Sequence, residues 1–357
     1  MVFGTLWIPS FVTDKEDVYM ESKILEVDNL RFSFDTYAGE VQSVRGVSFY
    51  VEKGETLALV GESGCGKSVT VQTLMKLTPT PPGRLKSGSI TYFGQDITNY
   101  GSKRMEKLRG KEMAMIFQDP MTSLNPTMRV GRQITESIRK HEAIQARLAG
   151  KRAAELLTRV GIPNADRNVT RYPHVFSGGM RQRVMIALAL ACNPKILFAD
   201  EPTTALDVTT QAQILELMNQ LKKEFGTAIV LITHDLGVVA RMAQRIAVMY
   251  AGKIVETGTA RDIFYSPKHP YTWGLLESMP GVRAKNGRTL SAIPGTPPDL
   301  FAPPPGCGFA PRCKYCMSVC KTQEPPETDL GGLHKAACWL MDERAPRVER
   351  PVGKDGV

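Results

Sequence analysis

The octapeptide GESGCGKS, Gly61 to Ser68, constrains this chain more than any other stretch. It follows the apolar run TLALV and precedes VTVQTLMKL, whose spacing predicts a helix, so its glycines fall at a strand-to-helix turn. Glycine there lets successive backbone N–H groups turn inward around phosphate oxygens, and the helix N-terminus favours the anion. Lys67 is expected to neutralise the β and γ phosphates of a nucleotide, and the Ser68 hydroxyl to ligate Mg²⁺. The expected nucleotide-binding set is Gly61, Glu62, Ser63, Gly64, Cys65, Gly66, Lys67, Ser68 and Val69.

Two later stretches fit the same chemistry. In KILFADEP a largely apolar strand ends on Asp200 and Glu201, which puts Asp200 beside a metal and Glu201 next to a γ phosphate. A carboxylate so placed can accept the proton of an attacking water; a positioned base is worth roughly 10²–10⁴ in rate. In FSGGMRQRVMIALAL, Ser177, Gly178 and Gly179 precede a helical pattern and form a second anion-binding helix end. Taken alone, S-G-G before a helix is more often a cap than a ligand site, and an acidic pair at a strand end can also be a helix cap. Their order along one chain makes the pattern specific.

The chain around these motifs is ordinary globular material: 357 residues, 42% hydrophobic and 23% charged. The apolar run VMIALALAC is about half of the ~20 residues that a membrane-spanning helix needs. The N-terminal residues lack the features of a secretory signal, which points to the cytosol. The net charge of +9 suits nucleic acid, an anionic leaflet or simply a basic surface. From Ile24 to about Phe264, β-branched runs alternate with helical patterns, as expected for parallel strands with crossover helices. Beyond Ser266 the chain turns proline-rich, which predicts a boundary near 265 and a small appended module. Five of the seven cysteines, Cys307, Cys313, Cys316, Cys320 and Cys338, lie in that module. An odd number in a reducing compartment argues for metal rather than disulfides. Four thiolates suit Zn²⁺ or an iron–sulfur cluster, although only Cys313 and Cys316 form a C-x₂-C pair.

Residues 24–264 resemble the nucleotide-binding domain of ABC (ATP-binding cassette) ATPases. GESGCGKS corresponds to the Walker A loop, MIFQDP to the Q-loop with Gln118, FSGGMRQR to the signature, ILFADE to Walker B, TTALD to the D-loop with Asp207, and LITHD to the switch region with His234. All six stand in the family order, with Met180 replacing the commoner glutamine of the signature. The resemblance implies an α/β P-loop fold with a mixed sheet core and a helical subdomain at about 119–190. It implies ATP and Mg²⁺ as ligands, Glu201, His234 and Gln118 as catalytic groups, and Ser68, Gln118 and Asp200 around the metal. Ser177, Gly178, Gly179 and Met180 would act on the ATP of a second cassette. Phe34 is the first candidate for stacking on adenine, with Tyr37 the second.

The stretches SPKHPYTWGLLESMP (Ser266 to Pro280), QDPMTSLNP and YPHVFSGGMRQR resemble the oligopeptide and dipeptide importer subfamily. That implies an ATPase subunit on the cytoplasmic face of the cell membrane, held there by two transmembrane permease subunits. The other implied partners are a second cassette subunit, often a different chain, and an extracytoplasmic substrate-binding protein. Sugars and nickel chelates are alternative cargoes in the same subfamily, and no nucleic-acid partner is expected. The C-x₅-C-x₆-C-x₁₇-C spacing of Cys307, Cys313, Cys320 and Cys338 resembles importer cassettes that hold a [4Fe–4S] cluster, with Zn²⁺ the alternative and Cys316 spare or substituting for a neighbour. The resulting division is an arm at 1–23, the cassette at 24–265, the extension at 266–345 and a tail at 346–357.

Overall fold

A computed structural model describes residues 23–204, 206–279 and 293–349. Nearly all of the expected N-terminal arm, the end of the tail, and Pro280 of the importer motif lie outside the described residues. The strands are β1 (Lys23–Thr36), β2 (Gly39–Glu52), β3 (Thr56–Val60), β4 (Gly83–Tyr92), β5 (Gln95–Asp96), β6 (Met113–Ile116), β7 (Ile196–Asp200), β8 (Ala228–Thr233), β9 (Arg245–Tyr250), β10 (Lys253–Thr259), β11 (Glu327–Asp329) and β12 (Lys335–Ala337). They form a four-stranded sheet, β2-β1-β4-β5, and an eight-stranded sheet, β11-β12-β10-β9-β3-β8-β7-β6.

The run β9-β3-β8-β7-β6 is parallel, as the alternating sequence predicted. Its central strands β3, β7 and β8 are buried along their whole length, which is why they read as continuous apolar runs rather than as alternations. Successive side chains still separate to opposite faces. Leu57, Leu59, Phe198 and Val230 pack towards the antiparallel sheet and the helix Lys67–Leu74, while Leu197, Ala199, Ile229 and Leu231 pack towards the helical layer. That layer contains Val130–His141, Ala146–Arg159 and Gly178–Ala189. In the first two, Val130, Ile134 and Ile138, and Ala149, Ala153, Leu156 and Leu157, recur at helical spacing and form one buried stripe each.

Register fixes the position of the site. Val60 stands opposite Thr233, Asp200 opposite Ile232, and Ile116 opposite Ala199. The carboxyl ends of β3, β8, β7 and β6 therefore lie along one sheet edge, where an open α/β sheet binds ligands. The residues that follow these ends are Gly61, His234, Glu201 and, one position further, Gln118.

The segment beyond 265 is more tightly built into the cassette than its proline content suggested. His269 caps the helix Pro270–Glu277 by accepting from the Tyr271 N–H, with proline at the first helical position. β12 pairs antiparallel with β10, Ala336 opposite Glu256, so the extension continues the main sheet. Buried Glu256 accepts from the N–H groups of Lys268 (2.6 Å) and His269 (3.0 Å) and faces His334 Nε2 at 2.9 Å.

Candidate active site

The phosphate loop has the backbone that its glycines permit. Gly61, Gly64 and Gly66 have φ of 156°, 79° and 99°. A Cβ on Gly61 would stand 2.2 Å from the Met249 carbonyl oxygen, and one on Gly66 would stand 2.3 Å from that of Ser43. Neither position accepts a side chain without moving the backbone. Ser63 and Gly64 are exposed at the tip, Cys65 is buried, and Val69 packs against the core. Burial pushes the Cys65 thiol up, so it is a packed neutral group. Lys67 is folded back into the loop, donating to the carbonyls of Gly61 (2.7 Å) and Glu62 (2.8 Å).

Ser68 Oγ donates to Asp200 Oδ1 over 2.8 Å. Burial is the larger influence on Asp200 and raises its pKa; the Ser68 hydrogen bond opposes this. A hydroxyl and a carboxylate so close at the end of the phosphate loop are hard oxygen donors that suit Mg²⁺. Glu201 collects three partners: Gln118 Nε2 donates to Oε2 (3.1 Å), Thr204 Oγ1 donates to Oε2 (2.8 Å), and His234 Nδ1 faces Oε1 at 3.0 Å. Burial alone would raise the Glu201 pKa, but the hydrogen bonds from His234 and Thr204 outweigh it and hold the carboxyl below its usual range. Glu201 itself has φ 45°, an uncommon backbone for a residue with a side chain and one that recurs at functional sites. Sequence motifs about 80 and 30 residues away thus converge on one carboxylate.

Ser177 and Gly178 are exposed at the N-terminus of the helix Gly178–Ala189, where Ser177 Oγ accepts from the Met180 N–H. Among the described residues, no hydrogen bond or ion pair joins Ser177, Gly178, Gly179 or Met180 to the phosphate loop. Asp207, also exposed, caps the helix Val208–Phe225 by accepting from the Thr210 N–H (2.9 Å) and hydroxyl (2.7 Å). The adenine candidates separate. Phe34 is partly buried with its ring edge-on to Phe32 (centroids 5.3 Å apart), whereas the Tyr37 ring is fully exposed.

Sequence reasoning missed two residues that hold the phosphate loop from outside. Tyr271 Oη accepts from the Glu62 N–H (2.8 Å), and Arg312 pairs with both Glu62 carboxylate oxygens (2.6 and 3.0 Å). The sequence signal for Tyr271 was the HPYT motif; for Arg312 there was none.

The cysteines depart from expectation. All are free, and Cys307, Cys313, Cys316, Cys320 and Cys338 lie within electrostatic reach of one another. Among the described residues, however, no group of three or more His, Cys, Asp or Glu side chains is drawn together closely enough to hold a metal ion. Burial pushes the thiols of Cys307, Cys313 and Cys338 up, the last two to about 11 and about 12. The iron–sulfur site expected from the spacing is not an assembled tetrathiolate in this fold.

Fold and site together define an ATP-binding cassette ATPase. Residues 44–204 match the ABC transporter family, and residues 255–320 match the oligopeptide/dipeptide transporter C-terminal region. The chain is 60% identical over 330 residues to the oligopeptide transport ATP-binding protein OppD of Bacillus subtilis, covering 92% of each chain. It is 51% identical over 320 residues to OppD of Salmonella typhimurium, covering 90% of this chain and 95% of that one. Among solved structures, the dimeric ABC cassette MJ0796 bound to ADP and phosphate superposes with a TM-score of 0.60 at 26% identity, covering 67% of this chain and 99% of the other. The chain belongs to the oligopeptide and dipeptide transport ATP-binding family. No helix among the described residues is long and apolar enough to cross a membrane.

Proposed function

We propose that this chain hydrolyses MgATP to drive peptide uptake through a membrane importer, and that it does so as one of two paired cassettes. The observation that carries the reading is the convergence of Gln118, Thr204 and His234 on Glu201 at the sheet edge that also bears the phosphate loop. In this reading the loop amides and Lys67 bind the ATP phosphates. Ser68, Asp200 and Gln118 hold Mg²⁺, which supplies charge neutralisation on the phosphates. Glu201 accepts a proton from the attacking water, and His234 orients that water and the γ phosphate. Tyr37, whose ring is free, stacks on adenine in preference to Phe34. Ser177, Gly178, Gly179 and Met180, the first two exposed and all four without a hydrogen bond or ion pair to the chain's own loop among the described residues, serve the nucleotide of the partner cassette, with Asp207 at the seam between cassettes. The partners are two permease subunits, a second cassette and a substrate-binding protein, which place the chain peripherally on the cytoplasmic face of the membrane.

The test is transport by proteoliposomes containing the chain with its permeases and binding protein. ATP-dependent uptake of a labelled short peptide, lost in Lys67→Ala, is expected. ATP-dependent uptake of a sugar or a nickel chelate in place of peptide would overturn the cargo assignment.

A finer reading concerns the cysteine loop. We infer that Cys307, Cys313, Cys320 and Cys338, which the described residues do not present as an assembled site, would be drawn together by iron as the ligands of a [4Fe–4S] cluster. The support is donor chemistry: five free thiols in one neighbourhood and the spacing seen in the sequence. Anaerobically purified protein should contain about four iron atoms per chain and absorb broadly at roughly 400 nm. Colourless protein with zinc in place of iron would exclude the cluster.

A further inference from the structure

Glu62, the second residue of the phosphate loop, is gripped from three directions. Its carbonyl accepts from Lys67 Nζ (2.8 Å), its N–H donates to Tyr271 Oη (2.8 Å), and its carboxylate receives both terminal nitrogens of Arg312 (2.6 and 3.0 Å). Only the first grip comes from the cassette. Tyr271 belongs to the helix Pro270–Glu277 and is fully buried against Tyr250 and Phe309, with ring centroids 4.5 and 5.4 Å away. Arg312 lies 250 residues beyond Glu62, directly before Cys313.

Neither group is at Glu62 by accident of a mobile surface. The Arg312 side chain is 5% exposed and Glu62 is 25% exposed, unlike a solvated surface pair. The guanidinium is itself aimed by other contacts: Nε donates to the Pro294 carbonyl (2.9 Å), Nη2 to that of Ile293 (3.2 Å), and Nη1 to Tyr250 Oη (3.2 Å). A planar fork held on both flanks presents a fixed bidentate face to a carboxylate, which a lysine could not do.

The Glu62 N–H is therefore turned outward, away from any ligand inside the loop, while Gly61 turns the chain through a conformation that only glycine adopts easily. A phosphate bound in the loop would compete with the carbonyls of Gly61 and Glu62 for the Lys67 ammonium, leaving the Glu62 carbonyl with the longer contact from the Cys65 N–H (3.4 Å). Tyr271 and Arg312 bind the N–H and the carboxylate rather than the carbonyl, so a phosphate does not compete for their contacts.

We propose that Tyr271 and Arg312 are positioning residues for ATP binding: the C-terminal extension anchors the entry of the phosphate loop so that the cradle keeps its shape when Lys67 moves to the nucleotide. The proposal rests on the ATPase reading above. It gives the extension a direct part in nucleotide affinity, carried on the same loop as the cysteines. An anchored loop binds with less ordering cost, and loss of the anchor should appear in binding rather than in the chemical step.

The test uses the full-length chain assembled with its permeases, with MgATP as the probe. Arg312→Ala should weaken ATP binding by roughly tenfold, the scale of a charge-assisted hydrogen-bond pair, raising KM with kcat changed less than about twofold. Arg312→Lys should fall between the two, and Glu62→Ala combined with Arg312→Ala should lose little more than either alone. Tyr271→Phe, which deletes one oxygen, should raise KM less and accelerate amide exchange across Gly61–Ser68. That second variant keeps the test decisive if Arg312→Ala folds poorly. Unchanged ATP affinity and loop exchange in folded Arg312→Lys and Tyr271→Phe would overturn the positioning role alone. A parent chain in which MgATP fails to bind, with Lys67→Ala no worse, would sink the ATPase reading instead.

Discussion

His234 Nδ1 stands 3.0 Å from Oε1 of Glu201, across the ends of adjacent parallel strands β8 and β7. The histidine is 62% exposed at its side chain while the carboxylate is 14% exposed, so the pair closes the sheet edge from the open side. Gln118 approaches the other carboxylate oxygen from β6, the next strand. Three strands thus deliver three motifs to one carboxylate, and none needs a long loop to do so.

Glu201→Gln keeps the shape of this junction and removes its basicity. ATP binding should persist while steady-state hydrolysis falls by about 10²–10⁴, the value of a positioned base. Phosphate release from the assembled transporter, measured alongside equilibrium binding, checks the separation. Turnover at the parent rate would remove Glu201 from the role proposed for it.

Thr204 offers a gentler test of the same group. Its hydroxyl donates 2.8 Å to Oε2 and helps to lower the Glu201 pKa, so Thr204→Val should let that pKa rise. A carboxylate that must be ionised to accept a proton then loses activity at a higher pH on the acid side. The acid limb of the ATPase profile should move up, with the plateau near neutral pH little changed; a shift downward would contradict the assignment.

The motifs legible in the sequence were those in which a strand and its functional residue are contiguous: TLALV with Gly61, ILFAD with Glu201, and AIVLIT with His234. What stayed hidden depended on distant pairing. No local pattern says that Arg312 meets Glu62, that Lys335–Ala337 extends the main sheet through β10, or that Glu256 is the buried acceptor beneath the HPYT motif. Burial separated Phe34 from Tyr37, and burial is a property of the packed sheet rather than of the residues next to them in sequence. The cysteine spacing was visible, but spacing along the chain does not bring thiols to bonding distance.

Gly179 links the signature to the D-loop cap. A Cβ there would stand 2.6 Å from Thr210 Cγ2, and Thr210 is pinned by its two hydrogen bonds to Asp207. Gly179→Ala should therefore displace Thr210 and loosen the Asp207 cap, at a cost of about 1–3 kcal/mol in stability as an overpacked contact. Because the phosphate loop lies elsewhere, ATP binding by the chain should survive while hydrolysis by paired cassettes drops. Equal hydrolysis by Gly179→Ala and parent would show that the contact relaxes without consequence.

His269 sets a pH limit on the extension. Its ring is buried; Nδ1 accepts from the Tyr271 N–H at 3.0 Å, and Nε2 has no hydrogen-bond partner among the described residues. Burial pushes its pKa down from 6.5 to about 4, with the nearby Glu256 charge opposing the shift only in part. The unfolded chain therefore binds a proton that the folded chain refuses between those values. The stability held by the neutral ring is complete above about 6.5 and is lost as pH falls towards about 4, in all about 3 kcal/mol, since each pKa unit is worth about 1.4. His334 and Glu256 face each other in the same buried cluster and are present in a His269→Asn variant as well. The variant keeps a side-chain acceptor for the helix cap and removes the titrating ring. Its thermal midpoint should fall less steeply than that of the parent between pH 6.5 and pH 4. Parallel curves for the two proteins would show that the acid sensitivity of the extension has another source.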